Sequence, residues 1–305
     1  MANENKTIVL AGATGDLGSL IAHHCLEVEG LSLRLLVRSE SVSKLSKKMI
    51  GNAEVFEIDL TDATVDELVK AFNGADAVVS ALQGGPDIMI ETQLKLLSAA
   101  DQANVKRFVP SCFSYNIFGL DEGDNINSDM LRAFSALARD ARVKTEVVQI
   151  LIGAFLDYKI LFGFLGAFDL TKKQAFLWGD GNEQMDYTTY EDTARYTVEV
   201  ALDDNPLPPV VEFAGETLNF HELVKAYEKA SGNRIEVLNM GSLSDLDETI
   251  INVQQDQPDN MFAWLPLMYW RAMLSGKAKL HSIDNSRYSY IKPLSVVEYV
   301  KQAGL

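Results

Sequence analysis

The chain has 305 residues, 47% of them hydrophobic and 23% charged, enough to bury a large core as one big domain or as two unequal lobes. Its 27 basic against 43 acidic residues leave a formal net charge of −16, which excludes nucleic acid and anionic membrane as partners, because their phosphates are repelled. Cys25 and Cys112 cannot form a disulfide framework and the four histidines show no metal-ligand spacing, while a polar start and the lack of a membrane-length apolar run predict a cytoplasmic protein without a metal.

In chain order, Thr7-Ile8-Val9-Leu10-Ala11 opens as a short, apolar, β-branched strand of the buried kind. Gly12-Ala13-Thr14-Gly15-Asp16-Leu17-Gly18 follows. Leu17, Leu20, Ile21, His24, Cys25 and Val28 then recur at the spacing of an amphipathic helix. A glycine turn between such a strand and such a helix predicts a cradle for a dinucleotide pyrophosphate. Gly12 makes the tight turn, Gly15 lets the backbone approach the phosphates, and Gly18 lets helix and strand pack closely. Thr14, Asp16 and Leu17 complete this cofactor-binding turn, and the helix start adds unpaired N–H groups and a partial positive charge.

Residues 33–37 form the second strand, with Arg38 at its end and Lys44, Lys47 and Lys48 on or beside a predicted helix over 42–49. A guanidinium there can stack on adenine and fork onto a 2′-phosphate, which predicts NADP(H) as the cofactor; Glu40 weighs against it. Residues 54–58 read as the third strand. Asp59 is placed to meet the adenine amino group, and serves equally well as an N-terminal helix acid. Thr64 and Glu67 form a capping box that opens the helix Val65–Phe72. Ala77–Ser80 is the fourth strand, 89–103 a long helix, Arg107–Val109 the fifth strand, 129–139 another helix and 146–151 a sixth, continuously apolar strand. Such alternation predicts an α/β fold, a Rossmann-type doubly wound parallel sheet. Ligands on such sheets bind at the carboxyl ends of the strands. That rim holds Gly12 to Gly18, Arg38, Leu82, Gln83, Pro110 and Ser111.

Beyond residue 152 the alternation loosens. Gly179-Asp180-Gly181-Asn182 is a turn between two strand-like runs, Tyr190–Leu202 a helix, 210–213 a strand and 220–230 a helix. Met261, Trp264, Met268, Trp270 and Met273 read first as a satellite core, although a lid over an apolar substrate has the same composition. The expected division is an NADP-binding domain over 1–151 and a mixed α/β substrate-binding cap over 152–305, interwoven with the main domain.

Hydride transfer asks the protein to hold donor and acceptor together, and a carbonyl, imine or enone acceptor also needs a proton or hydrogen-bond donor. Ser111, Ser114 and Tyr115 follow the fifth strand and are the candidate catalytic residues, with the Tyr115 phenol as the leading donor. A loop aromatic packed on the cap is the equal alternative for Tyr115. The expected partner is a small apolar aromatic substrate, and the composition is compatible with a homo-oligomer.

Arg107-Phe108-Val109-Pro110-Ser111-Cys112-Phe113 resembles the segment after the fifth strand in the NmrA-like and isoflavone reductase-like families of atypical short-chain dehydrogenase/reductases. Gly12-Ala13-Thr14-Gly15, Arg38, Gln93 and the run Tyr187 to Ala194, with its Asp192-Thr193-Ala194 ending, agree in order. The resemblance implies NADPH-dependent reduction of aromatic substrates, or in other members NADP(H) sensing without turnover. It also implies a lysine near the start of the helix after that segment, contacting the nicotinamide. Here that position falls at Met130 to Arg132, none of them lysine, and no Tyr-x-x-x-Lys pair follows Ser111. Two functions stay open: a reductase, and a non-catalytic NADP(H)-binding regulatory protein. A sugar-nucleotide epimerase or dehydratase ranks last, because it would keep the Tyr-x-x-x-Lys pair.

Overall fold

The computed structural model describes residues 6–305. The chain forms two compact units, each assembled from separated stretches. The first takes the residues through Phe113 with 130–150 and 193–211, and the second takes 114–129, 151–192 and 212–305. The expected boundary at 151 coincides with one of several places where the chain passes from one unit to the other.

The first unit is built on β1 (Thr7–Ala11), α1 (Asp16–Cys25), β2 (Ser32–Val37), α2 (Lys47–Asn52), β3 (Glu54–Glu57), α3 (Val65–Phe72), β4 (Ala77–Ser80), α4 (Gln93–Gln102), β5 (Arg107–Val109), α5 (Ile126–Asp140, which begins in the second unit) and β6 (Glu146–Val147). Its six strands pair in the order β3-β2-β1-β4-β5-β6, all parallel. Every residue of β1 and β4 is buried, as a strand covered on both faces requires. Val9, Leu36, Val78 and Phe108 pack with Leu68, Phe72, Leu96 and Phe134 from the helices into one core.

Local chemistry explains most element limits. The Thr64–Glu67 capping box forms as expected and starts α3. Elsewhere the structure departs from the sequence pattern. The expected helix over 42–49 is a short 3-10 stretch (Ser39–Lys44) followed by α2, because the Ser46 side chain caps the Met49 amide and starts a new helix there. The expected helix over 89–103 begins with a wide, π-type turn over Asp87–Thr92. The expected strand over 146–151 divides in two. Its first half pairs with β5, while β7 (Gln149–Leu151) joins a separate two-stranded sheet. A continuous apolar run carries no mark of where its pairing partner changes.

The second unit contains β8 (Ala154–Phe155), β9 (Phe168–Asp169), β10 (Gln174–Trp178) and β11 (Met185–Thr188) before α6 (Tyr190–Leu202) leads back into the first. The chain returns through β12 (Val210–Glu212), the partner of β7, to β13 (Glu216–Leu218), α7 (Phe220–Ser231), β14 (Glu236–Gly241), α8 (Leu243–Asp256), α9 (Met261–Leu274) and α10 (Val296–Ala303). Two three-stranded sheets, β14-β10-β9 and β13-β11-β8, replace the single large sheet. Trp264 and Met268 pack with Leu246 and Ile250 between α8 and α9, so the methionine and tryptophan cluster is a satellite core, although Phe262 stays 78% exposed. Among the described residues no helix is long and apolar enough to cross a membrane.

Candidate functional site

The parallel strands of the first unit end together at Ala11, Val37, Ser80 and Val109. The glycine turn lies at the end of the buried β1. Gly12 has φ +93°, and a Cβ there would stand 2.5 Å from the Ala81 carbonyl oxygen. A Cβ on Gly18 would collide with the Gly12 carbonyl. Both glycines are therefore demanded by the fold. Gly15 is not: its φ of −85° suits any residue, and its Cβ would meet nothing closer than the Gly12 carbonyl oxygen at 3.5 Å. Thr14, Gly15 and Asp16 are exposed while Leu17 and Gly18 are buried, so the turn presents its backbone outward at the start of α1. No side chain caps that helix, and the uncapped start concentrates positive potential where Gly15 leaves room. This cradle fits a pyrophosphate.

Arg38 is exposed just beyond β2, with its Nε 3.2 Å from a carboxylate oxygen of Glu40. The pair is a loose surface contact that an incoming phosphate can displace. The Asp59 carboxylate accepts from the Thr61 amide at 3.0 Å and the Thr61 hydroxyl at 2.7 Å. Those bonds hold its pKa below the ordinary carboxylate value, with the charges of Arg38 and Lys95 adding to the effect. A groove of about 480 Å³ between β3 and α3 is lined by Phe56, Ile58, Asp59 and Lys70. Leu82 and exposed Gln83 follow β4; buried Pro110 and Ser111 follow β5. Ser111 is fastened at both ends: its amide donates to Gln93 Oε1 at 2.6 Å, and its hydroxyl donates to the Leu82 carbonyl at 2.6 Å. Ser80, the last residue of β4, has a buried hydroxyl with no partner. Neither this hydroxyl nor the anchoring role of Lys95 was visible in the sequence pattern.

The three residues expected to carry chemistry divide between the units. Ser111 belongs to the first, whereas Ser114 and Tyr115 belong to the second. The Ser114 carbonyl accepts from the Ile152 amide at 2.8 Å. Tyr115 is only 3% exposed. Its phenol oxygen accepts from the Ser128 hydroxyl at 3.3 Å, a bond that would stabilise negative charge on that oxygen, and its ring meets Tyr269 edge-on at 5.6 Å. Asn125 caps the start of α5 through its carbonyl oxygen, leaving its buried Nδ2 without a partner. Tyr115, Asp186 and Lys279 line a cavity of about 10 Å³, room for a single water. Asp186 is itself buried and held by Thr217, the Leu280 amide and Lys279. Met130 and Arg132 are both half-buried on the part of α5 that belongs to the first unit. Burial pushes the Cys25 and Cys112 thiols up to about 12, which leaves both inert at neutral pH. Among the described residues no cluster of potential metal ligands occurs.

A glycine turn at the carboxyl rim of a six-stranded parallel sheet, with an arginine closing the second strand, defines a dinucleotide-binding protein of the Rossmann oxidoreductase class. The sequence profile of the NmrA-like family matches residues 4–118. Pinoresinol reductase 1 of Arabidopsis thaliana is 30% identical over 278 residues, covering 83% of this chain and 81% of that protein. A bifunctional pinoresinol-lariciresinol reductase of Linum usitatissimum is 26% identical, with 77% of this chain and 78% of that one covered. Among solved structures, "AtPrR2 with NADP+ and (+)pinoresinol" superposes with a TM-score of 0.81 at 23% identity, covering 99% of this chain and all of the other. The chain belongs to the NmrA-like, isoflavone reductase-like family of atypical short-chain dehydrogenase/reductases.

Proposed function

We propose that this chain binds NADPH on its first unit and uses it to reduce a small aromatic carbonyl, imine or enone-type substrate. The protein is an NADPH-dependent oxidoreductase at the level of its family. The observation that carries the reading is Gly15: packing does not require a glycine there, and a side chain would fill only the space that a phosphate needs. Bound NADPH supplies the hydride from its nicotinamide ring. The backbone of Gly12 to Gly18 with Thr14, Asp16 and Leu17 would hold the pyrophosphate, Arg38 the 2′-phosphate, and Asp59 the adenosine end. Leu82, Gln83, Pro110 and Ser111 would bound the nicotinamide end. Tyr115 would donate the hydrogen bond that stabilises developing oxyanion charge, with Ser111 and Ser114 as secondary candidates.

The test is NADPH consumption, followed by its fluorescence, with a panel of aromatic aldehydes, imines and enones. Turnover that disappears in Gly15→Val supports the reading. A second reading is favoured by Met130, which stands where the family resemblance implies lysine: a regulatory protein that binds NADP(H) without turnover. Tight NADPH binding with no turnover across the panel would select it.

A further inference from the structure

Lys95, in the first turn of α4, donates through Nζ to the carbonyl oxygens of Leu60, Thr61 and Ala63 at 2.8, 2.9 and 2.9 Å. An ammonium has three donors, and all three are spent on one loop, the stretch between β3 and α3 that begins at Asp59. That loop is acidic, with Asp59 and Asp62 both exposed, so the lysine also offsets repulsion there. At the start of the same helix Gln93 is fully buried. Its Oε1 accepts from the Ser111 amide, while its Nε2 donates to the Met89 carbonyl at 2.9 Å, inside the wide turn that precedes the helix. Ser111 passes the anchorage on to Leu82. Loops after β3, β4 and β5 are thus tied to the first turn of one helix.

We infer that α4 is the positioning element of the cofactor site: Lys95 sets the loop that meets the adenosine end, and Gln93 sets the loops that meet the nicotinamide end. The inference rests on the NADPH reading of the first unit and adds two residues outside the expected binding surface. Loops left to themselves sample many backbone states, and a bound cofactor must then cover the ordering cost. Fixing Leu60, Thr61 and Ala63 with one ammonium removes that cost at one end of the site. The buried Gln93 amide removes it at the other.

The two ends separate in a kinetic experiment on the full chain. Lys95→Met is expected to weaken NADPH and 2′-phospho-ADP-ribose by about tenfold each, as loss of a charged hydrogen-bond cluster would. Reduced nicotinamide mononucleotide, which lacks the adenosine, should be used as before, and kcat at saturating NADPH should stay within about twofold. Gln93→Met should do the reverse: 2′-phospho-ADP-ribose binds as in the wild type, while kcat falls about tenfold because the nicotinamide is misplaced. Melting temperatures of both variants serve as the folding control. A lowered melting temperature with unchanged 2′-phospho-ADP-ribose affinity in Lys95→Met would make the lysine a loop staple and overturn the inference. Equal effects of both variants on both ligands would overturn it too. A wild-type chain that binds no NADPH would instead overturn the underlying reading, so the two failures are distinguishable.

Discussion

Gly15 and Arg38 in the first unit stand exposed at the ends of strands, and nothing in the packing around them asks for a glycine or an arginine. In the second unit the comparable polar residues are all committed. Tyr115 is bonded to Ser128, Asp186 to Thr217, Leu280 and Lys279, and Asp192 to Thr189 and the Leu294 amide. The first unit therefore shows its binding surface as residues spared from structural duty. The second must draw any chemistry from groups that also hold the fold together, so a variant there reads out in stability as well as rate.

The sharpest break of this comparison lies inside the glycine turn. Gly18→Ala drives a methyl into the Gly12 carbonyl and should cost about 3 kcal/mol or more, seen as a large fall in melting temperature. Gly15→Val should melt like the wild type yet bind neither NADPH nor NADH. Equal destabilisation by the two variants would erase the distinction between folding and binding glycines. Tyr115→Phe comes next. Loss of an oxyanion donor typically lowers kcat by about 100- to 1000-fold, with NADPH affinity unchanged and a modest fall in melting temperature from the lost Ser128 bond. Full turnover in this variant would mean that water or the substrate supplies the proton.

Arg38→Ala should weaken NADPH by about tenfold or more and leave NADH nearly unchanged, because a charged hydrogen bond to the 2′-phosphate is worth about 1.5–3 kcal/mol; isothermal titration with both cofactors reads it directly. Glu40→Gln releases Arg38 from its exposed contact and should tighten NADPH by about twofold, the scale of a surface ion pair. The smallest effect is expected at the thiols. With both pushed up to about 12 by burial, neither should react with iodoacetamide at pH 8 in the folded protein, and both should react once it is unfolded in urea.

Much of the first unit was legible because its signals are local. The Thr64–Glu67 box, the β-branched β1 and the apolar β4 each specify their own limits. The failures share a cause as well. Whether 146–151 is one strand or two depends on which partners it meets, and the split between β6 and β7 is decided by residues far along the chain. Asp59 was placed correctly after the third strand, but its engagement by Thr61 required the loop's conformation. Lys95 read as an ordinary helix-surface lysine, since nothing in its neighbours announces three carbonyls from residues more than thirty positions earlier. The helices α8, α9 and α10 went unassigned, α9 carrying an internal Pro266 that argues against a helix on its face.

Arg107 sets a condition on how this protein can be made. Its fully buried guanidinium bonds Glu146, but also the carbonyls of Val200, Asp203 and Asn205. Lys6 and Lys106 reach the same stretch, through Leu202, Asp203 and Asp204. A ribosome delivers that stretch only after most of the second unit's first half has already emerged. The nascent amino-terminal sheet therefore waits, with a buried cation short of acceptors, until about two thirds of the polypeptide exists. Truncation at the apparent end of the nucleotide-binding half would leave that wait permanent, so the smallest fragment able to mature on its own must carry residues 193–211, supplied in the same chain or added in trans.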